Sequence, residues 1–444
     1  MKPSSSPSDG LFDGVLSRGD AGTRTSSTDW LRALLDVEAA LARAGADAGV
    51  VPPEAAARIS RTCSEWQDLD PGRIGRLAAA SGNPVVPLVA LLEERVGPDG
   101  GQWVHFGATS QDVMDTAAVL VARRAGEPVL VDLRSAADAA AGLAAAHRDT
   151  PILGRTLLQP ALPTTFGLKA AGWTVSLDHA ARRLSEAVAA LPVQLGGAVG
   201  DLGSYGEHGE VVLAALARQL SLPEPVLPWH TARGPFADLG GALGAAGGAI
   251  GKVALDVCLL AQGEVAEVHE GKESGRGGSS AMPHKHNPVA AIAARAAAVR
   301  GPGLVATLLT AMGQEHERAA GGWHAEWEVL SDLLRTTGSA AAWLAECLQG
   351  LVVDPARMAA NLQRTGATDA ATAEAAATLL APALGRERAH LLVREALDRS
   401  RSTGRPLGVE LVADPRWPTG TAVPTRPCSA GRFVDRALAS RRHP

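Results

Sequence analysis

Residues 111–147, 165–191, 235–269 and 288–317 read as four long helices, separated by segments rich in glycine and proline. A helix of roughly 33 residues is about 50 Å long at 1.5 Å per residue, well past the ordinary length in a globular protein. A rod of that kind needs neighbours against which to bury its apolar face. Alanine is abundant, aromatic residues are only 3% of the chain and β-branched alternation is scarce, so helix is expected throughout and almost no sheet. The economical arrangement is all-α, with an elongated up-and-down bundle at its centre. Gly240, Gly241, Gly244, Gly247, Gly248 and Gly251 would let helices approach closely, in one chain or between copies.

Residues 29–44 form a shorter amphipathic helix with Leu31, Leu34, Leu35, Val37, Ala40 and Leu41 on its apolar face, stopping near Gly45 and Gly49 before Pro52 and Pro53. Three regions follow from this reading. Residues 1–107 make an N-terminal helical domain, 108–348 a central long-helix bundle carrying the catalytic motifs, and 349–444 a small C-terminal helical domain.

With 444 residues the chain has ample length for a large core. Its net charge of −5 is spread without long runs of one sign, which argues against nucleic acid or an anionic membrane and for a small-molecule partner. Cys63, Cys258, Cys347 and Cys428 are too dispersed for a metal cluster or disulfide framework and read as reduced thiols in a cytoplasm. Residues 1–10 are rich in Ser and Pro without an apolar core, so no signal peptide is expected. The most apolar segment, 239–251, is bracketed by Asp238 and Lys252 and falls short of the roughly 20 residues a bilayer requires, so no transmembrane helix is expected either.

The chemistry concentrates in Gly278-Ser279-Ser280-Ala281-Met282-Pro283-His284-Lys285-His286-Asn287-Pro288. A hydroxyl and an ammonium lie six residues apart on a glycine-rich loop, which suits proton transfer at a carbon next to a carboxylate. Upstream, residues 271–277 are polar and glycine-rich enough to move as a lid, while Asn287 and Pro288 read as N-cap and first turn of the helix that follows. His284 and His286 lack clustered carboxylate or cysteine ligands and read as shaping the loop rather than holding a metal.

Two further constellations precede long helices. His105-Phe106-Gly107-Ala108-Thr109-Ser110-Gln111-Asp112 places hydroxyls where free amides and the positive helix end attract carboxylates. Gly154-Arg155-Thr156-Leu157-Leu158-Gln159-Pro160 again offers hydroxyl and amide donors. In order and content the three motifs resemble those of the fumarase/aspartase superfamily, whose loop reads G-S-S-x-M-P-x-K-x-N-P. The resemblance runs from about Asp29 to Leu438. It implies that Ser279 is the proton-transfer residue and that Lys285 stabilises an enolate-like carboxylate, with Thr109, Ser110, Thr156, Gln159, Ser280, Met282 and Asn287 binding substrate. It also implies a homotetramer in which each site takes its three motifs from three chains, without cofactor or metal. Long rods support such sharing, because one bundle cannot easily bring all those helix ends together.

Within the superfamily, the phrase through Asp115-Thr116-Ala117, Trp229-His230-Thr231-Ala232-Arg233 and the segment 315–327 resemble the 3-carboxy-cis,cis-muconate cycloisomerase branch, with Arg233 and Arg318 as further carboxylate ligands. Adenylosuccinate lyases carry a histidine where this chain has Leu157, and another in the region of Gly82-Asn83-Pro84. Leucine cannot protonate a nitrogen leaving group, so the leaving group, or in reverse the nucleophile, is expected to be stable as an anion. The expected reaction is therefore conversion of 3-carboxy-cis,cis-muconate to its γ-lactone in protocatechuate breakdown. Release of nitrite from nitrosuccinate by β-elimination meets the same condition. Adenylosuccinate or argininosuccinate cleavage fits less well, and a silent structural role, as for crystallins of the superfamily, is opposed by the intact Ser279, Lys285 and Asn287. Asp201, Pro160 and the segment 366–370 depart from the branch pattern, and a carboxylate at Asp201 would disfavour an anionic substrate unless it points away.

Overall fold

The computed structural model describes residues 10–271, 277–278, 282, 285–424 and 428–441. Within them the chain forms two compact units, Met1–Ser135 with Leu177–Ala254 and Ala290–Glu346, and Ala136–Ser176 with Leu255–Val289 and Cys347–Pro444. The fold is all-α and fumarase-like: 68% of the chain is helical, and the strands are few and short.

In the first unit, Ser27–Asp47 starts earlier than its apolar pattern because the Ser26 side chain accepts from the Asp29 amide at 3.2 Å. Its end is fixed by packing. A Cβ at Gly45 would lie 2.5 Å from Val51 Cγ2, and Pro53 then opens Pro53–Ser64 as a first-turn proline. Close approach between Gly234–Leu260 and Val289–Thr310 has the same origin, since a Cβ at Gly244 would sit 2.9 Å from Val305 Cγ2. Gly241 and Gly248 are exposed, and a Cβ at either would meet nothing within 4 Å among the described residues. Both helices are long and apolar enough to cross a bilayer by length and composition, more than the stretch 239–251 suggested; their inner faces, including Leu239, Leu243, Ile250, Ala291 and Ala294, lie in the protein core.

Two expected helices are shorter in the structure. The one expected over 235–269 ends at Leu260, because Ala266 turns through φ 48° and Val268–Glu270 pairs antiparallel with Leu351–Val353. The one expected over 288–317 ends at Thr310, and the chain beyond it carries the Gln314 amide to Glu326 at 3.0 Å.

In the second unit, residues 151–165 form a hairpin of Pro151–Thr156 and Gln159–Thr165, where the sequence suggested only a loop leading into a helix. Gly154 is required at its irregular register, as a Cβ there would lie 2.5 Å from the Leu162 carbonyl oxygen. Arg155 anchors the hairpin through two bonds to the wholly buried Glu267, at 2.9 and 2.8 Å, and Asn361 donates to the same carboxylate at 2.8 Å. Ala376, Leu380, Leu392, Leu407, Leu411 and Trp417 build a separate C-terminal core.

Candidate functional site

Ser110–Ala146 starts beneath a tightly built turn. His105 adopts φ 57° and Gly107 φ 76°; a Cβ at Gly107 would lie 2.5 Å from the Tyr205 ring, so glycine is needed there. Tyr205 donates its hydroxyl to the Phe106 carbonyl at 2.7 Å. The half-buried Thr109 and Ser110 follow, and the Thr109 amide donates to Asp112 Oδ2 at 2.9 Å.

His105 Nδ1 lies 2.7 Å from Oε1 of the buried Glu38. Burial alone would lower the imidazole, but the Glu38 charge and hydrogen bond, with Asp112 and Glu93, raise it above its ordinary 6.5. Cys63, buried and near Glu38 and Asp36, is pushed up to about 12 and is a poor nucleophile.

Arg233 occupies a different environment from the one its sequence context suggested. It is 1% exposed and lies between Asp115 and Glu326, donating from Nη1 to Asp115 Oδ2 at 2.7 Å and from Nη2 to Glu326 Oε2 at 2.6 Å. Trp229 and Phe236 cover its faces, at 4.8 and 4.9 Å from the guanidinium carbon to the ring centres. Asp115 also accepts from Trp323 Nε1 at 3.0 Å. With both carboxylates internal, the guanidinium is an internal clamp and is not presented to a ligand. Burial raises Glu326, and the Arg233 charge opposes that rise.

Arg318 differs: it is half-buried, donates from Nη2 to the Gly197 carbonyl and from Nη1 to the Glu317 carbonyl at 2.6 Å, and no carboxylate is ion-paired with it among the described residues. Burial lowers its pKa from the ordinary arginine value, opposed by the charges of Asp112 and Asp115. Asp201 is exposed and bonds locally, accepting from the Gly203 amide at 3.0 Å.

Met114, one turn along from Ser110, lines a cavity of about 470 Å³ whose walls include Trp30, Leu34, Ile74, Pro84 and Trp327. Trp327 Nε1 is buried with no hydrogen-bond partner among the described residues. Arg335 is the one cation among the described lining residues and is ion-paired with Asp332.

Thr156 and Gln159 belong to the second unit and stand exposed at the hairpin tip, flanking Leu157 and Leu158. Ser279 and Ser280 lie outside the described residues, as do Pro283 and His284. Around them, Gly278 and His286 form a bridge, the Lys285 amide donates to the Met282 carbonyl at 3.0 Å, and Met282 and Lys285 are exposed. The Asn287 side chain donates to the Gly277 carbonyl at 3.2 Å, and a Cβ at Gly277, φ 73°, would lie 2.7 Å from the Asn287 carbonyl oxygen. The structure thus brings Thr109, Ser110 and Arg318 into one unit, and Thr156, Gln159, Met282, Lys285 and Asn287 into the other.

Glu38, Gln194 and Glu326 were not singled out from sequence. Gln194 stands alone between Val193 and Leu195, a signal that could have marked a buried partner, whereas Glu38 and Glu326 have Asp36 and Glu328 two positions away and carry no such mark.

A lyase family model matches residues 16–303. Nitrosuccinate lyase of Streptomyces davaonensis is 44% identical over 417 residues, covering 90% of this chain and 87% of that protein. The 3-carboxy-cis,cis-muconate cycloisomerase of Pseudomonas aeruginosa is 43% identical over 412 residues, covering 91% and 89%. The crystal structure of 3-carboxy-cis,cis-muconate lactonizing enzyme from Pseudomonas putida aligns with a TM-score of 0.89 at 38% identity, covering 97% of this chain and 99% of that one.

Proposed function

This chain belongs to the lyase family of the fumarase/aspartase superfamily, and from that premise we propose that it is a cytoplasmic cycloisomerase converting 3-carboxy-cis,cis-muconate to its γ-lactone in protocatechuate breakdown. The observation that carries the reading is Leu157 at the tip of the second motif, where a proton donor for a nitrogen leaving group would be needed. Relatives with this activity at about the same identity across nearly the whole chain support it.

In the reaction, one carboxylate oxygen adds to the β-carbon of a double bond conjugated with another carboxylate. The electron pair of that double bond moves into the second carboxylate, giving a dianion, and a proton then reaches the α-carbon. Ser279 delivers that proton, Lys285 stabilises the dianion, and Thr109, Ser110, Asn287 and Arg318 hold carboxylates. Ser280 and Met282 shape the same loop. Arg233 keeps Asp115 and Glu326 neutralised beneath the site rather than touching substrate.

The homotetramer with shared sites belongs to the same proposal, with Thr109 and Ser110 from one copy, Thr156 and Gln159 from a second and the Ser279 loop from a third. Exposure of Thr156, Gln159 and Lys285 in a single chain supports it, as does the exposed small-residue row Gly241, Ala245 and Gly248.

One second reading has a specific observation behind it: nitrosuccinate lyase is 44% identical over 90% of this chain, and nitrite also leaves without an acid. The test is turnover in deuterium oxide. Cycloisomerisation consumes the diene absorbance and places one deuterium on the carbon next to the carboxylate of the lactone product; an inert diene rejects it.

A further inference from the structure

The Asp112 carboxylate is 1% exposed and faces four N–H groups from three separate segments. Oδ2 accepts from the amides of Thr109 and Gly197, both at 2.9 Å. Oδ1 accepts from the Gly196 amide at 2.9 Å and lies 2.6 Å from His230 Nε2. The Gly197 carbonyl in turn accepts from Arg318 Nη2. One buried carboxylate therefore joins the turn carrying Thr109 and Ser110 to the loop that holds the Arg318 guanidinium.

The segments meet without slack. A Cβ at Gly196 would lie 2.6 Å from His230 Cε1, and one at Gly197, φ 69°, would lie 3.1 Å from the Gly107 carbonyl oxygen. A carboxylate is suited to this place because it has two oxygens and accepts only. An asparagine there turns an amide N–H toward two of the donors. Asp115, one turn along and as deeply buried, accepts instead from the side chains of Arg233, Trp323, Gln111 and Gln194, and takes none of the Thr109, Gly196 and Gly197 amides.

We propose that Asp112 is the positioning residue of the carboxylate-binding end of the site, fixing Arg318 relative to Thr109 and Ser110 so that all three can engage one polycarboxylate. This rests on the reading that those residues bind such a ligand. A purely structural role would lower stability and leave the effect of other substitutions unchanged, whereas positioning predicts energetic coupling to Arg318.

The test is a double-mutant cycle on the full-length protein, with calorimetric binding of propane-1,2,3-tricarboxylate as the readout. Asp112→Asn is expected to weaken binding at least tenfold in the presence of Arg318 and by less than threefold in an Arg318→Ala background. Asp115→Asn with Arg318→Ala reports the coupling that a nearby charge alone produces and should couple less than Asp112→Asn does. His230→Gln, which leaves the carboxylate and its three backbone donors in place, should give the same coupling in weaker form and serves if Asp112→Asn does not fold. Additive effects of Arg318→Ala with Asp112→Asn, or with His230→Gln if that variant is needed, overturn the proposal. Additivity with lactone formation intact removes this inference alone, while coupled binding without lactone formation removes the reaction and leaves the positioning role standing.

Discussion

Leu157 and Leu158 occupy consecutive left-handed positions, φ 50° and 64°, at the tip of the 151–165 hairpin, and are 96% and 77% exposed. A two-residue turn with both φ positive ordinarily selects Asn-Gly. Two leucines there combine backbone strain with exposed apolar surface. Such strain is kept where a function needs it. Replacing the pair by Asn-Gly should stabilise the hairpin by about 1–3 kcal/mol, given the cost of left-handed residues. The same protein should lose turnover, since the tip is proposed to enter a site on another copy. Denaturation midpoints and kcat/KM, measured together, check this; unchanged turnover would make the turn incidental.

Arg233 and Arg318 should separate cleanly. Arg233→Ala leaves Asp115 and Glu326 buried without their cation and is expected to cost about 3–5 kcal/mol of stability. Arg318→Ala should keep the fold and raise KM for a polycarboxylate by roughly tenfold or more, the scale of a hydrogen bond to a charged group. Thermal melts and steady-state kinetics on both variants decide it. A fold indifferent to Arg233→Ala would contradict the clamp.

The His105–Glu38 pair sets a pH dependence whose sign is fixed. Because the folded imidazole is raised above 6.5, its contribution is fully present below that value and is lost as pH rises through the folded value. Wild-type urea midpoints should therefore fall as pH rises above 6.5 and through the raised folded value. Glu38→Gln should be less stable at the low end and flatter across the range. An equal slope in both proteins would assign the dependence to other groups.

The long helices and the motif turns were legible because alanine-rich runs and glycine-bounded hydroxyl pairs act locally. The hairpin was not: Pro151, Pro160 and Pro163 obscure the alternation that marks strands, and its anchor, Glu267, lies 112 positions from Arg155. Arg233 was misassigned for the same reason, since nothing near it in sequence reveals Asp115 or Glu326. The assignment of Ser279 rests on its motif alone, since the residue lies outside the described residues.

Shared sites predict complementation. Thr156→Ala protein, impaired in substrate binding, and Ser279→Ala protein, reduced by about a hundredfold if the serine transfers the proton as such groups do, should regain part of their activity when dissociated and reassociated together. Some mixed tetramers then hold sites with neither defect. No recovery despite confirmed subunit exchange, or an active monomer by light scattering, would defeat the assembly.

The most direct measurement of the central claim sets two substrates against the same preparation. Proton NMR and nitrite assay would follow 3-carboxy-cis,cis-muconate and nitrosuccinate side by side at matched concentrations, with kcat/KM determined for each. A cycloisomerase should give a γ-lactone from the muconate, with a kcat/KM far above that for nitrosuccinate, and should lose this activity in Ser279→Ala. An inert muconate beside rapid nitrite release would contradict the claim.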